Sequence, residues 1–173
     1  MTRPPFWQRW RKAADGAVAV EFALWSVFAL VPLLMSIDFG FYLAQTGRIA
    51  SAAEQAALVT YNRREAGPVD TATLATFLNA SARVPGGAVR TTITCNGTTN
   101  ACSAVPAARS CVCVSGLPAA YSAAASCGAP CPGGATSGYY VTLTAEHTFD
   151  PMISPHPFLE DRIIRQSVTV RLK

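Results

Sequence analysis

The sequence predicts an α+β protein: one long N-terminal helix, transmembrane and then amphipathic, packed on a small antiparallel sheet that disulfides staple. Three observations carry that prediction. Residues 17–37 form an apolar run interrupted by a single charge. Residues 41–65 return apolar side chains at three- and four-residue intervals. Past Pro85 the period falls to two, and six cysteines gather in the same stretch. The 173 residues suffice for one modest domain with appendages and are too few for two large cores. Half of them are apolar and only 14% are charged, which excludes an intrinsically disordered chain.

The formal net charge is +4, but it is not spread evenly. Arg3, Arg9, Arg11 and Lys12 against Asp15 give +3, and everything after Gly16 gives +1. A nucleic-acid binder needs a basic stripe on its folded body. This body is nearly neutral, so no nucleic-acid partner is expected.

The first element follows that basic start. AVAVEFALWSVFALVPLLMSI, Ala17 to Ile37, carries only Glu21 as a charge, and Asp38 closes it. At ~1.5 Å per residue such a helix reaches about 31 Å, enough to cross a bilayer's hydrocarbon. Basic residues just before it place the N-terminus in the cytoplasm and the body outside. A cleaved secretory signal would have a shorter apolar core and a nearby small-residue cleavage site. The first A-x-A pattern downstream of the run, Ala50-Ser51-Ala52, lies well beyond Asp38. A signal anchor is therefore the expectation.

The helix continues. Ile49, Ala52, Ala53, Ala56, Ala57 and Val59 form a stripe with Arg48, Glu54 and Gln55 between them. Small residues on that face permit close approach, and the stripe is expected to pack on the protein's own domain. Arg63, Arg64 and Glu65 read as a solvated helix end, and Gly67-Pro68 breaks the pattern. A second short helix starts with Asp70 or Thr71 as its cap, presents Leu74, Phe77 and Leu78, and ends before Pro85.

Strands follow. Val89, Thr91, Ile93 and Cys95 alternate with Arg90, Thr92 and Thr94. Ser110–Ser115 is a second candidate, around Cys-Val-Cys. Residues 116–138, rich in Ala, Gly, Ser and Pro, read as a loop that disulfides must pin. Tyr139–Phe149 alternates well, Asp150–Pro157 is irregular with three prolines, and Ile163–Leu172 closes the sheet.

Cys95, Cys102, Cys111, Cys113, Cys127 and Cys131 fall within 37 residues, downstream of a membrane segment. An even, clustered set there points to disulfides in an oxidising compartment. Cys111 and Cys113 lie on one face of an extended strand and are badly placed to bond each other. A minimal arrangement closes Cys95–Cys102 over NGTTNA and sends Cys111 and Cys113 to Cys127 and Cys131. The spacings C-x-C and C-x3-C, with no histidine in the window, do not suit a zinc knuckle. Neither a metal nor a cofactor is expected.

Glu21 stands out. A carboxylate deep in a bilayer costs roughly 2.5–3.5 kcal/mol on insertion scales, and less near an interface. Either it snorkels, or it pairs with a cation when subunits assemble. An amine created by cutting after Gly16 would be such a cation, and the attraction grows in a low-dielectric layer.

A short basic leader, Gly16, four apolar residues, Glu21-Phe22 and an apolar helix resemble the start of a class of type IV prepilins. The longer stretch GAVAVEFALWSVFALVPLLMSIDFGFYLAQTGRIASAAEQAA resembles the TadE-like minor pseudopilins of the tight-adherence (Flp) pilus system. The matching pieces are the AVEFAL start, Val31-Pro32-Leu33-Leu34 in mid-span, the Asp38-Phe39-Gly40 exit and the alanine-rich helix from near Arg48, over about residues 15–60. The resemblance implies a pilin-like fold. It also implies cleavage between Gly16 and Ala17 by a prepilin peptidase, a membrane aspartyl protease. Glu21, beside Phe22, becomes the assembly residue, and Pro32 the place where the helix bends or melts as subunits pack. The implied partners are that peptidase, other pilins and pseudopilins, the pilus assembly platform and the lipid bilayer. The organisation that follows is a cytoplasmic leader 1–16, a transmembrane helix 17–37, a helix continuation 38–66 and an extracytoplasmic α+β domain 67–173 with its Cys-rich segment 95–131. The protein would sit once through the inner membrane, its C-terminal domain periplasmic, or pass into the pilus, where it would support initiation or assembly of an adhesive fibre. The alternative is an uncleaved bitopic envelope protein whose disulfide-stapled domain binds a ligand.

Catalytic patterns are thin. His147-x2-Asp150 with Ser154 nearby holds triad residue types, but no G-x-S-x-G precedes a serine. His156 lies between two prolines. No P-loop, dinucleotide fingerprint or H-E-x-x-H occurs, so no enzyme is expected. Asn79-Ala80-Ser81 and Asn96-Gly97-Thr98 match a frequent glycosylation pattern, which carries no weight if the source is bacterial, as the resemblance implies.

Overall fold

The computed structural model describes residues 6–116, 119–152 and 162–173, with side chains described from Gly16 onward. The basic side chains of the leader, and the candidates Ser154 and His156, lie outside the described residues. Of the stretch 150–157, only residues 150–152 lie within them, and these are irregular.

In chain order the elements are α1 (Phe6–Asn62), α2 (Thr71–Ala82), β1 (Arg90–Cys95), β2 (Val112–Ser115), β3 (Ala120–Ala123), β4 (Tyr140–Thr148) and β5 (Ile163–Arg171). Short 3-10 turns at Asn100–Ser103 and Pro106–Ala108 link β1 to β2. The chain divides into two units: Met1–Phe41 with Pro151–Phe158, and Tyr42–Asp150 with Leu159–Lys173.

The first unit is built on the first part of α1. The helix continues through Pro32, whose missing N–H leaves the Phe28 carbonyl without its usual donor. An apolar window here has a mean hydropathy of 2.1 and none of it is buried. Val18, Phe22, Leu24, Trp25, Phe28 and Leu33 are all more than half exposed. A soluble helix of this composition would have to hide such a surface, and this one is long and apolar enough to cross a membrane instead. Two serines in the span turn their hydroxyls back on the helix, Ser26 Oγ donating to the Phe22 carbonyl (2.8 Å) and Ser36 Oγ to the Pro32 carbonyl (2.7 Å). That satisfies both hydroxyls without water.

The second unit holds the core. β1, β4 and β5 form an antiparallel sheet in the order β1-β4-β5, with Ile93 opposite Leu143 and Leu143 opposite Val168. Alternation sorts its two faces. Val141, Leu143, Ala145 and His147 point inward, and residues 140, 142, 144 and 146 are half-exposed. On that outer face the hydroxyls of Thr142 and Thr169 approach to 2.9 Å, and Arg165 meets Glu146 at 2.8 Å. Against the inner face pack Ile49, Ala52, Ala53, Ala56 and Ala57 of α1 together with Leu74, Leu78 and Ala82 of α2. The alanine stripe therefore packs on the protein's own domain, as its periodicity suggested. Each fully buried Leu or Ile, such as Leu78, Leu143 and Ile49, is worth roughly 1.5–3 kcal/mol of transfer free energy.

α1 ends at Asn62 and residues 63–66 continue in turns. Asp70 caps α2, with Oδ1 accepting from the Thr73 amide (3.0 Å) and Oδ2 from the Thr73 hydroxyl (2.6 Å). These bonds hold the Asp70 carboxyl below the ordinary aspartate value. The cap contributes stability above that ordinary value, and the contribution is lost as the pH falls through the lowered one. α2 stops at Arg83, which adopts a left-handed conformation two residues before Pro85.

The Asn96-Gly97 pair makes the turn after β1, both residues at positive φ, with reciprocal bonds between Cys95 and Thr98. Asn79 and Asn96 both spend their side chains inside the fold. Asn79 Oδ1 accepts from the Val89 amide (2.8 Å), and Asn96 Oδ1 accepts from the Tyr140 amide (3.0 Å).

One expectation needs correction. Residues 116–138 are not all loop: Ala120–Ala123 pairs with β2 to make a separate two-stranded sheet, Cys113 opposite Ser122. The short AYSA segment lacks a hydrophobic alternation because this ribbon has little core to face. It is held by bonds to its surroundings. Cys95–Cys102, Cys111–Cys127 and Cys113–Cys131 are joined, with Cα separations of 5.1, 5.1 and 5.6 Å. These are ordinary distances for disulfides. Tyr121 of β3 reaches across the Asn96-Gly97 turn, and its hydroxyl lies 3.0 Å from that of Thr142. A Cβ at Gly97 would meet Tyr121 Cδ2 at 2.7 Å, at a φ of +81° that side chains resist. Gly97→Ala is therefore expected to destabilise the second unit by about 1–3 kcal/mol, read as a lower midpoint in urea or heat. An unchanged midpoint would mean the ribbon's docking contributes little.

Candidate processing and assembly site

Gly16, Ala17, Glu21 and Phe22 lie on one continuous stretch of α1, and all are exposed. Nothing stands within 4 Å of where a Gly16 Cβ would be. The Gly16–Ala17 peptide bond is itself in helical backbone. Hydrolysis of such a bond requires the turn to open, and a glycine lowers that cost by roughly 1 kcal/mol relative to alanine.

Ala17 and Glu21 are related as i and i+4, one turn apart on the same face. The Cα–Cβ bond of a helical residue tilts toward the N-terminus, so the Glu21 side chain leans toward Ala17. Among the described residues no cation lies within ion-pair distance of Glu21. Phe22, 73% exposed, extends the apolar surface beside it.

Pro32 sits eleven residues further along the same exposed surface. The helix there has lost one hydrogen bond, which lowers the cost of bending at that point.

Asp38 differs from its expected place. It closes the apolar run in sequence, yet its side chain is buried to 1% exposure and accepts a hydrogen bond from the Met152 amide at 3.0 Å. A polar residue at the exit of the span was visible, but its partner, 114 residues away, was not.

His147 faces the core at 4% exposure while Asp150 is exposed, so these two do not form an open catalytic pair. No group of three or more His, Cys, Asp or Glu that could hold a metal occurs among the described residues.

Residues 16–58 match a family model described as TadE-like protein. The matched stretch begins at Gly16, includes Glu21, Pro32 and Asp38, and ends in the alanine stripe of α1. It is consistent with a TadE-like protein of the tight-adherence pilus system. One N-terminal apolar helix fits a membrane-anchored protein of that system. The match leaves out α2, both sheets and all six cysteines. No curated protein and no solved structure matches the chain.

Proposed function

We propose that the protein is a minor pseudopilin, without enzymatic activity, that is cleaved after Gly16 and supports initiation or assembly of an adhesive tight-adherence pilus. The observation that carries this is the spacing Gly16-x4-Glu21 at the head of an exposed apolar helix, within the segment that matches the TadE-like model. In this reading the basic leader holds the N-terminus in the cytoplasm, and a prepilin peptidase opens the Gly16–Ala17 bond at the inner-membrane face. The new Ala17 amine and Glu21 then carry opposite charges in a low-dielectric layer, where pairing is strongly favoured over isolation. Two arrangements compete: Glu21 with its own amine, one turn away, and Glu21 with the amine of a neighbouring pilin. Contact of the apolar helices favours the second as subunits pack, and Pro32 lets the helix bend to accommodate it. The second unit remains on the periplasmic side or on the fibre.

Gly16→Ala tests the reading cleanly. It has open space around it and a better helix former in place, so the fold should be undisturbed. The expected result is an uncleaved, membrane-inserted protein and a loss of pili. Processing and piliation at normal levels in Gly16→Ala would remove Gly16 from any special role.

A further inference from the structure

The second unit carries a feature that neither processing nor helix packing uses. A cleft of about 350 Å³ opens beside the end of α1 and the start of α2. Val69, Leu74 and Phe77 supply apolar lining. Arg63, Arg64 and Arg109 also line it, with Asp70 as the one acid, so its formal balance is +2.

Arg109 is the informative residue. It is only 5% exposed. Its Nη1 donates to the Arg64 carbonyl (2.5 Å) and its Nη2 to the Gly67 carbonyl (2.7 Å). The guanidinium carbon stands 5.1 Å from the centre of the Tyr139 ring. These partners orient the group but carry no negative charge. Among the described residues no carboxylate lies within ion-pair distance of it. Its buried Nε has no hydrogen-bond partner. A buried cation without an anion is costly, and a buried donor without an acceptor adds to the cost.

We propose that this cleft binds a carboxylate borne on an apolar side chain, as presented by an acidic–apolar peptide segment of a partner protein. The apolar lining would take the side chain. The arginines would take the carboxylate, whose two oxygens match the planar fork of a guanidinium. The volume suits one large side chain with its acid and is small for the paired acyl chains of a lipid. This site is independent of cleavage after Gly16, so its test can fail while the pseudopilin reading stands.

The experiment uses the full chain in nanodiscs of phosphatidylcholine, following the arginine Nε–H signals by NMR as phenylpropionate is added. The Arg109 signal is identified by its absence from an Arg109→Lys variant. The expected result is a saturable shift of that signal. Neutral phenylpropanamide should bind at least about tenfold more weakly, and so should phenylpropionate to Arg63→Gln. Absence of a saturable shift, equal binding of the amide, or full affinity in Arg63→Gln would overturn the proposal. A comparable shift with inorganic phosphate, or one in phosphatidylglycerol discs with no probe added, would assign the site to phosphate or lipid and overturn it as well.

Discussion

Glu21→Ala is expected to leave the protein inserted in the membrane and to abolish piliation. Insertion should be unharmed because the substitution removes a charge from the span, a change favourable by roughly 2 kcal/mol or more at mid-membrane and by less near an interface. The second unit should also be unharmed, because Glu21 is exposed and its core lies in residues 49–172. What is lost is the only acid in the apolar run 17–37, which the proposed function makes the partner of a new amine at Ala17. Glu21→Gln separates charge from shape: it keeps the size and hydrogen-bonding capacity and should also fail. The readout is membrane fractionation beside electron microscopy of the cell surface. Normal pili in Glu21→Ala would make Glu21 a bystander.

Breaking the long-loop disulfides should have the largest effect on stability. Cys111–Cys127 and Cys113–Cys131 close loops of 16 and 18 residues, and chain-entropy arguments assign each about 3 kcal/mol. The segment they hold has few other anchors: β2 and β3 pair only with each other as strands, and most residues between 115 and 136 are exposed. Replacing both cysteines of either pair with serine is expected to lower the thermal midpoint by on the order of 10–20 °C. The change should spare the far-UV signal of the helices, whose packing partners are in β1, β4 and β5. Non-reducing peptide mapping should find all six cysteines oxidised in these three pairs. Free thiols, or an unmoved midpoint, would contradict this account of the Cys-rich segment.

What could be read in advance divides along a physical line. Local signals were legible: the apolar run before Asp38, the alanine stripe, the Asp70 cap, and the alternation in Tyr139–Phe149 each depend on residues a few positions apart. Strand geometry excluded a Cys111–Cys113 bond, and the minimal arrangement gave Cys95–Cys102, but which of Cys127 and Cys131 each strand cysteine takes came from the structure. Features that depend on distant partners were not legible. AYSA shows no strand alternation by itself and is a strand only beside Val112–Ser115. Arg109 looks like an ordinary loop cation, yet it clamps carbonyls 42 and 45 residues away. Asp38 reads as the polar end of a span, but it is buried against the Met152 amide. At the candidate processing site the residue types and their spacing were fully visible. The helix over Ala17–Phe22 was expected too; its continuation upstream through Gly16, with the opening cost that implies, came from the structure.

The most direct test is the intact mass of the protein taken from membranes of cells that carry the cognate prepilin peptidase. The account predicts a mass lacking residues 1–16, with Ala17 at the new terminus, and the full-length mass when the peptidase is removed. A full-length mass in the presence of the peptidase, unaffected by Gly16→Ala, would contradict it.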